Sequence, residues 1–432
     1  MKALLDELAW RGLLYQRTAE EALDAHLQSR GRTGYCGFDP TADSLTIGHL
    51  IPILLLVHWQ RAGHRPLVVM GGGTGLIGDP SGKDRERLLL DVDRVAANVE
   101  SQRRIFERVL DFDAAAPHGA RILDNRSWLG ELRFVDFLRE VGKHFSINAM
   151  IQKESVRERL ERRDQGISYT EFSYMLLQAF DFLHLRRSFG CSVQMAGSDQ
   201  YGNITAGIDL IHRTLGHDCE AFGFTAPLVT HADGRKIGKS EGAPVWLTTD
   251  RTSAYAFYQY WINVADADVP SFLRRFTLLE RDEIVAIVET HAAAPEKRQA
   301  QRALARHMTA LLHGEPERAR VEAASEALFG DGVLEALDGA TLREMAAELA
   351  HTQHDLSLLA GDGVPLLDLL PQTPLASSRR QAREFLEQGA IALNGHRVAA
   401  DRRASTGDLL AGGLMFLRRG KKRWHVTRWE NG

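Results

Sequence analysis

Residues 33–80 read TGYCGFDPTADSLTIGHLIPILLLVHWQRAGHRPLVVMGGGTGLIGDP, and the order of elements in this stretch decides the fold. Thr33–Phe38 reads as a short strand, a turn follows, and Ile47–Ala62 has helical length with an almost unbroken apolar surface. Pro66–Met70 is a second buried strand that ends in the glycine run Gly71–Gly78. Arg121–Leu123 and Ser192–Met195 read as further short strands, each joined to helical segments. Strands that alternate with helices predict an α/β fold: a Rossmann-like, doubly wound parallel sheet with ligands at the carboxyl ends of its strands. Upstream, residues 1–30 carry Leu4, Leu5, Leu8, Leu13 and Leu14 at helical spacing and read as helical.

The pattern changes near Pro227. Residues 250–350 lack strand signals and are rich in Ala, Leu, Glu and Arg, which predicts an α-helical domain. Gly361, Gly363, Pro365, Pro371 and Pro374 mark a boundary. Beyond it, a helix near Ser378–Gln388, the run Ile391–Leu393 and the hairpin signal Asn394-Gly395 predict a small α+β module. That module is basic: from Ala376 onward 12 Lys and Arg face 5 Asp and Glu, a net +7, so the remainder carries −11 of the chain's −4. A basic end on an acidic body suits a bound polyanion, or simply a solvated basic surface.

The bulk numbers exclude several classes. A chain of 432 residues, 44% apolar and 25% charged, is long enough for two or three domains with full cores and is neither disordered nor fibrous in composition. Cys36, Cys191 and Cys219 form no CxxC pair, so the spacing indicates neither a zinc site nor a disulfide framework, and a reducing, cytoplasmic location fits. The longest apolar run, Ile51–Val57, is too short to span a bilayer. Asp6, Glu7, Glu20 and Glu21 are unlike a signal or import peptide.

Four motifs could carry chemistry. In the helix near Thr170–Leu183, Ser168 and Glu171 have capping-box spacing, and the helix is apolar almost all round. Yet Tyr174, Gln178 and Asp181 fall on one face, and a buried polar stripe must find partners, either within the protein or in a small ligand. Gly73, Gly75 and Gly78 match the dinucleotide fingerprint GxGxxG, but Pro80 would break a helix that began there. A glycine loop that lets a ligand approach the backbone remains, with Asp79 at the strand end. Gly234–Ser240 resembles a phosphate-binding loop one residue short, and its lysines would clamp phosphates or be solvated. Tyr35–His49 runs from strand to turn to helix, and Gly48 leaves room for a nucleotide at the helix start, where free N–H groups favour anions.

Together, in this order, these segments resemble bacterial tyrosyl-tRNA synthetases, of the class I Rossmann type, over essentially the whole chain. Tyr35–Leu50 looks like the HIGH segment and Lys236–Ser240, KIGKS, like the KMSKS loop. Gly71–Lys83, Tyr169–Phe182 and Gly197–Asn203 resemble further blocks, and residues 365–432 resemble an RNA-binding module shared with a ribosomal protein. The resemblance implies tyrosine activation with ATP and Mg²⁺, no protein-bound structural metal, transfer of tyrosine to tRNA(Tyr), and a homodimer with no membrane association. It implies domains at 1–226 (catalytic), 227–330 (KMSKS-type loop and helical anticodon-binding domain), 331–363 (linker) and 364–432 (RNA-binding).

Residue roles follow from the same resemblance. Tyr35 and Asp181 would bond the phenolic hydroxyl; Asp79, Tyr174 and Gln178 the ammonium; Gln200 would lie near the carboxylate. Gly37, Asp39, Gly48, Gly197 and Asp199 would line the adenosine side. Thr41, Thr46, His49, Lys83, Arg87, Lys236 and Lys239 would gather round the triphosphate. Arg379, Arg380, Arg383, Arg397, Arg418, Arg419, Lys421, Lys422 and Arg423 would meet tRNA phosphates. Two departures stand out: Thr46 replaces the first histidine of HIGH, and Tyr201 the usual Trp after Gln200. Three rivals compete: a tryptophan-specific relative, against which Tyr35 and Asp181 argue; a non-catalytic RNA-binding paralogue; and a nicotinamide-dependent oxidoreductase.

Overall fold

The structure is a computed structural model and describes residues 4–79, 90–153, 156, 157, 160, 167–235, 237–240, 243–330 and 332–431. The chain forms two compact units, Met1–Arg251 with Val264–Ala300, and Thr252–Asn263 with Gln301–Gly432.

The first unit is built on a six-stranded sheet of β1 (Gln16–Arg17), β2 (Thr33–Phe38), β3 (Arg65–Met70), β4 (Arg121–Asp124), β5 (Cys191–Gly197) and β6 (Phe222–Ala226). Its order is β1-β6-β5-β2-β3-β4, all parallel except the edge strand β1. The chain leaves β2 toward β3 and β4 on one side, and β5 toward β6 on the other. The carboxyl ends of β2 and β5 therefore border a switch point, where a crevice opens.

The apolar runs form this sheet because both of its faces are covered. Helix α1 (Leu4–Arg11) precedes the short helix Glu20–His26, and α2 (Leu50–Arg61) buries every residue from Ile53 to Trp59. Gly34 permits that contact, since a Cβ there would stand 2.7 Å from the Trp59 ring. Helices α3 (Tyr169–Phe189) and α4 (Tyr201–Leu215) pack on each other and on the sheet. Ser168 caps α3 by accepting the Glu171 N–H at 3.2 Å, and Gly190 ends it in the left-handed region. A hairpin of β7 (Lys239–Ser240) and β8 (Ala243–Pro244) follows. Helix α5 (Val269–Phe276) joins this unit through Arg11, whose guanidinium donates to the Arg274, Thr277 and Leu279 carbonyls.

Two sequence expectations are refined here. The helix read over 1–30 is interrupted: α1 stops at Arg11, Gly12 turns with φ 71, and β1 follows. The helical stretch read over 227–330 is shared between the two units.

The second unit combines helices, among them Ala254–Ile262, α6 (Glu315–Phe329) and α7 (Gly339–Ala347), with a five-stranded sheet. Its strands are β9 (His351–Asp355), β11 (Ile391–Leu393), β12 (His396–Arg397), β14 (Leu414–Arg419) and β15 (Arg423–Glu430); β10 (Val364–Pro365) and β13 (Arg403–Ala404) pair separately. Helix α8 (Arg379–Glu387) follows the N-cap Ser378. Asn394 and Gly395, at φ 49 and 89, make the expected tight hairpin turn. Residues 331–363, read as a linker, carry α7 and β9, and β9 pairs in parallel with β15.

Candidate active site

A cavity of about 450 Å³ opens at the switch point of the first sheet. Tyr35, Gly37 and Asp39 enter it from the end of β2, Gly197, Asp199 and Gln200 from the end of β5, and Tyr174, Gln178 and Asp181 from one face of α3. Gly48, His49 and Asp79 complete the set of expected residues that line it. The polar stripe on α3 thus faces a cavity, as its spacing allowed.

The deep end is built from buried groups. Asp181 is 4% exposed, and its carboxylate accepts from Trp128 Nε1 at 2.7 Å and from Asn125 Nδ2 at 2.9 Å. Burial pushes its pKa up to about 7, against the two donors that favour the charged form. Tyr35 is 2% exposed, and its hydroxyl has no hydrogen-bond partner among the described residues. Burial and then the Asp181 charge push its pKa well above the ordinary phenol value. A buried hydroxyl left without a partner costs roughly 1–3 kcal/mol, which a ligand hydroxyl would offset.

A chain of hydrogen bonds leads outward. Asn125 Nδ2 also donates to Thr74 Oγ1 at 3.0 Å, and Thr74 donates to Asp39 Oδ1 at 3.2 Å. Tyr174 donates its hydroxyl to the same Asp39 carboxylate at 3.2 and 3.3 Å. Gly71 is required here, because a Cβ would fall 2.5 Å from Asp39 Oδ1. On the far wall Gln200 Nε2 donates to Asp79 at 2.7 Å and to Asp199 at 3.1 Å. Asn203 Nδ2 donates to the side-chain carbonyls of Gln178 and Gln200, both at 3.0 Å, and so orients both amides.

The outer end is more exposed. His49 Nδ1 accepts the Thr46 backbone N–H at 3.1 Å, so the neutral ring carries its proton on Nε2. Thr46 Oγ lies 3.1 Å from the same nitrogen and completes a capping box on the turn Ile47–His49. Thr46 therefore holds His49 in place. Thr41, exposed just after β2, and Thr46 are not among the residues that line the cavity. Lys83, Arg87 and Lys236 lie outside the described residues, as does Pro80; Lys239 belongs to β7. No α-helix begins within Gly71–Asp79: a 3₁₀ turn spans Thr74–Leu76, and Gly78 follows at φ 88.

Sequence reasoning missed Asn125, Trp128, Thr74, Asn203 and Gln194, whose buried side-chain carbonyl also has no partner among the described residues. Asn125 and Trp128 stand 56 and 53 positions from Asp181, so no local periodicity could connect them. On the C-terminal module, seven of the nine expected basic residues are exposed, with Arg379 2.7 Å from Asp368. Arg418 and Arg419 are half-buried, stacked on Trp424 at 5.0 Å and Phe385 at 4.7 Å, and serve the module's own packing.

Residues 29–330 match the family described as tRNA synthetases class I (W and Y), and residues 348–427 match the tyrosine–tRNA ligase SYY-like C-terminal domain. The chain belongs to the tyrosine–tRNA ligase family. It is 49% identical over 431 residues to the tyrosine–tRNA ligase of Roseiflexus castenholzii, covering 99% of this chain and 100% of that one. The Opitutus terrae tyrosine–tRNA ligase is 47% identical, covering 98% and 99% of the two chains. Among solved structures, C-terminally truncated mitochondrial tyrosyl-tRNA synthetases are similar. That of Coccidioides posadasii has TM-score 0.66 at 31% identity, over 74% of this chain and 91% of that one. That of Aspergillus nidulans has TM-score 0.69 at 29% identity, over 76% and 95%. Membership in this family sets aside the oxidoreductase reading.

Proposed function

We propose that this cavity carries out the reaction of a tyrosine–tRNA ligase, with each end of it bound to one part of the chemistry. The tyrosine carboxylate attacks the α-phosphorus of ATP; the bond to pyrophosphate breaks and tyrosyl-adenylate forms. A hydroxyl at the 3′ end of tRNA(Tyr) then attacks the mixed anhydride and AMP leaves. The observation that carries this reading is the buried Tyr35 hydroxyl, without a partner among the described residues, lining with Asp181 a cavity of substrate size. The phenol would accept from Tyr35 and donate to Asp181.

Asp79, Gln178 and Tyr174 bind the ammonium, with Gln200 near the carboxylate; Tyr174 also bonds Asp39, and Gln200 bonds Asp79. Gly37, Asp39, Gly48, Gly197 and Asp199 line the adenosine side. Thr41, Thr46, His49, Lys83, Arg87, Lys236 and Lys239 surround the phosphates. Catalysis then rests on positioning and on cations aimed at developing phosphate charge. Mg²⁺ enters as part of the nucleotide substrate.

The exposed basic residues Arg379, Arg380, Arg383, Arg397, Lys421, Lys422 and Arg423 grip tRNA through its phosphates. Removing residues 348–432 should spare adenylate formation and lower tRNA charging about tenfold or more. Phe134, Val135 and Ile147 are exposed at 65%, 72% and 57%, and a homodimer would cover such apolar side chains. A cytoplasmic location belongs to the same reading and agrees with three free cysteines. Amino-acid-dependent ATP–pyrophosphate exchange, run with all twenty amino acids, tests the reading. Exchange with tyrosine alone is expected; exchange with none would favour the RNA-binding paralogue.

A further inference from the structure

Asp268 stands directly before α5, where a carboxylate ordinarily caps its own helix, yet its side chain makes no capping bond. It is 5% exposed, and both oxygens instead reach a segment 36 and 37 residues earlier in the chain. Oδ1 accepts the Ala232 N–H at 2.6 Å, and Oδ2 lies 2.9 Å from His231 Nδ1. The His231 ring also packs 5.5 Å from Phe272 on α5. A buried carboxylate is costly unless fully partnered, so these two bonds fix the loop and the helix to each other.

What is fixed is the stem of a tight turn. The His231 N–H donates to the Arg235 carbonyl at 2.8 Å, and the Gly234 N–H donates to the His231 carbonyl at 2.9 Å. Asp233 Oδ1 accepts the Arg235 N–H at 3.0 Å. Holding His231 and Ala232 therefore holds Arg235, the residue before Lys236. On the other side of position 236, the Gly238 carbonyl accepts the Val245 N–H at 2.9 Å, and the Val245 carbonyl accepts the Ile47 N–H at 3.1 Å. A Cβ on Gly238 would come 3.4 Å from the Gly48 nitrogen, so this side rests against the nucleotide-facing turn. The far side of the lysine segment is thus tied to the cavity mouth, and the near side is tied to Asp268.

We propose that Asp268, with His231, is a positioning residue for tyrosine activation: it fixes the turn that ends at Arg235, immediately before Lys236. This rests on the reading of Lys236 and Lys239 as phosphate ligands. Asp268 does not touch substrate, so its effect should appear in ATP and not in tyrosine.

The test is tyrosine-dependent pyrophosphate exchange by the full chain, with tyrosine affinity measured separately by calorimetry and melting by circular dichroism. Asp268→Ala should lower kcat/KM for ATP about 10- to 100-fold, the scale of a small misplacement, with tyrosine affinity unchanged. Asp268→Asn keeps an acceptor for the Ala232 N–H and should recover part of the loss; His231→Ala should fall between. If Asp268→Ala does not fold, Asp268→Asn and His231→Ala carry the test. In a Lys236→Ala background the Asp268→Ala penalty should largely vanish, because the two changes act on one step.

Unchanged ATP kinetics in folded Asp268→Asn and His231→Ala would overturn the proposal, as would equal losses in tyrosine and ATP binding. If Lys236→Ala and Lys239→Ala leave exchange intact, the phosphate reading of the lysines fails first. Lysine variants that lose activity beside Asp268 variants that do not would refute the positioning role alone.

Discussion

The two ends of the cavity are made differently. The phenol end is set into a sheet strand and a 21-residue helix, and its groups are buried and cross-braced: Asp181 by Asn125 and Trp128, and Tyr35 by the β2–β3 and β2–β5 pairing. The end that the proposed reading gives to the phosphates is made of turns and loops: Thr41, Gly48 and His49 are exposed, and Arg235 and Gly238, on either side of Lys236, are held by backbone bonds. Selection of an amino acid needs a shape that does not yield, because an ill-fitting competitor must be left with unpaired buried groups. Phosphoryl chemistry needs cations that approach a charge as it develops, which exposed elements supply. On the proposed reading, specificity belongs to the rigid end and rate to the loop end.

The largest expected effect breaks the rigid end. Asp181→Ala should remove most of the preference for tyrosine over phenylalanine, which for tyrosyl-tRNA synthetases as a class is known to be roughly 10⁵-fold and is not a value this geometry yields. The ratio of kcat/KM for the two amino acids, measured by pyrophosphate exchange, checks it; an unchanged ratio would place specificity elsewhere.

Next comes pH. If the phenol donates to ionised Asp181, tyrosine binding should weaken as pH falls below about 7, by up to about tenfold per unit. Asp181→Asn should flatten that profile in calorimetric titrations. The effect on stability has its own sign. With the folded-state pKa above the unfolded value, the folded chain holds a proton the unfolded chain has lost. The Asp181 contribution to stability therefore falls as pH rises from about 4 to about 7 and is level above that.

Tyr35→Phe sharpens the comparison further. It deletes a hydroxyl that has no partner among the described residues, so melting of the free protein should be unchanged or slightly raised. Tyrosine kcat/KM should drop about 2- to 10-fold, the worth of one neutral hydrogen bond. A clear fall in melting temperature would show that the hydroxyl is already satisfied. A modest effect, confined to rate, is expected at Thr46. Thr46→Ala loses a cap of about 1 kcal/mol and should slow exchange about fivefold while leaving tyrosine affinity untouched. A change in tyrosine affinity would mean that the two ends are not separable.

The sequence made the rigid parts legible and the couplings illegible. Strands β2, β3 and β5 are apolar runs because helices cover both faces, and their ends could be read to within a residue or two. Strand β9 escaped because His351–Asp355 is polar, with exposed and half-buried residues alternating at the sheet edge. Strand β6 is five residues long and contains a glycine, too little for a pattern. Within the site, the stripe Tyr174, Gln178 and Asp181 was visible because α3 places those positions on one face. Asn125, Trp128 and Asp268 act across 36 to 56 positions of chain, through contacts that only the folded topology creates.

The measurement that tests the division most directly is calorimetric binding of tyrosine and phenylalanine to the full chain with no nucleotide present. A preformed phenol end predicts that tyrosine binds and phenylalanine does so far more weakly, with ATP leaving the ratio unchanged. Equal affinities without ATP, with selectivity appearing only once ATP is added, would contradict it and move specificity to the loop end.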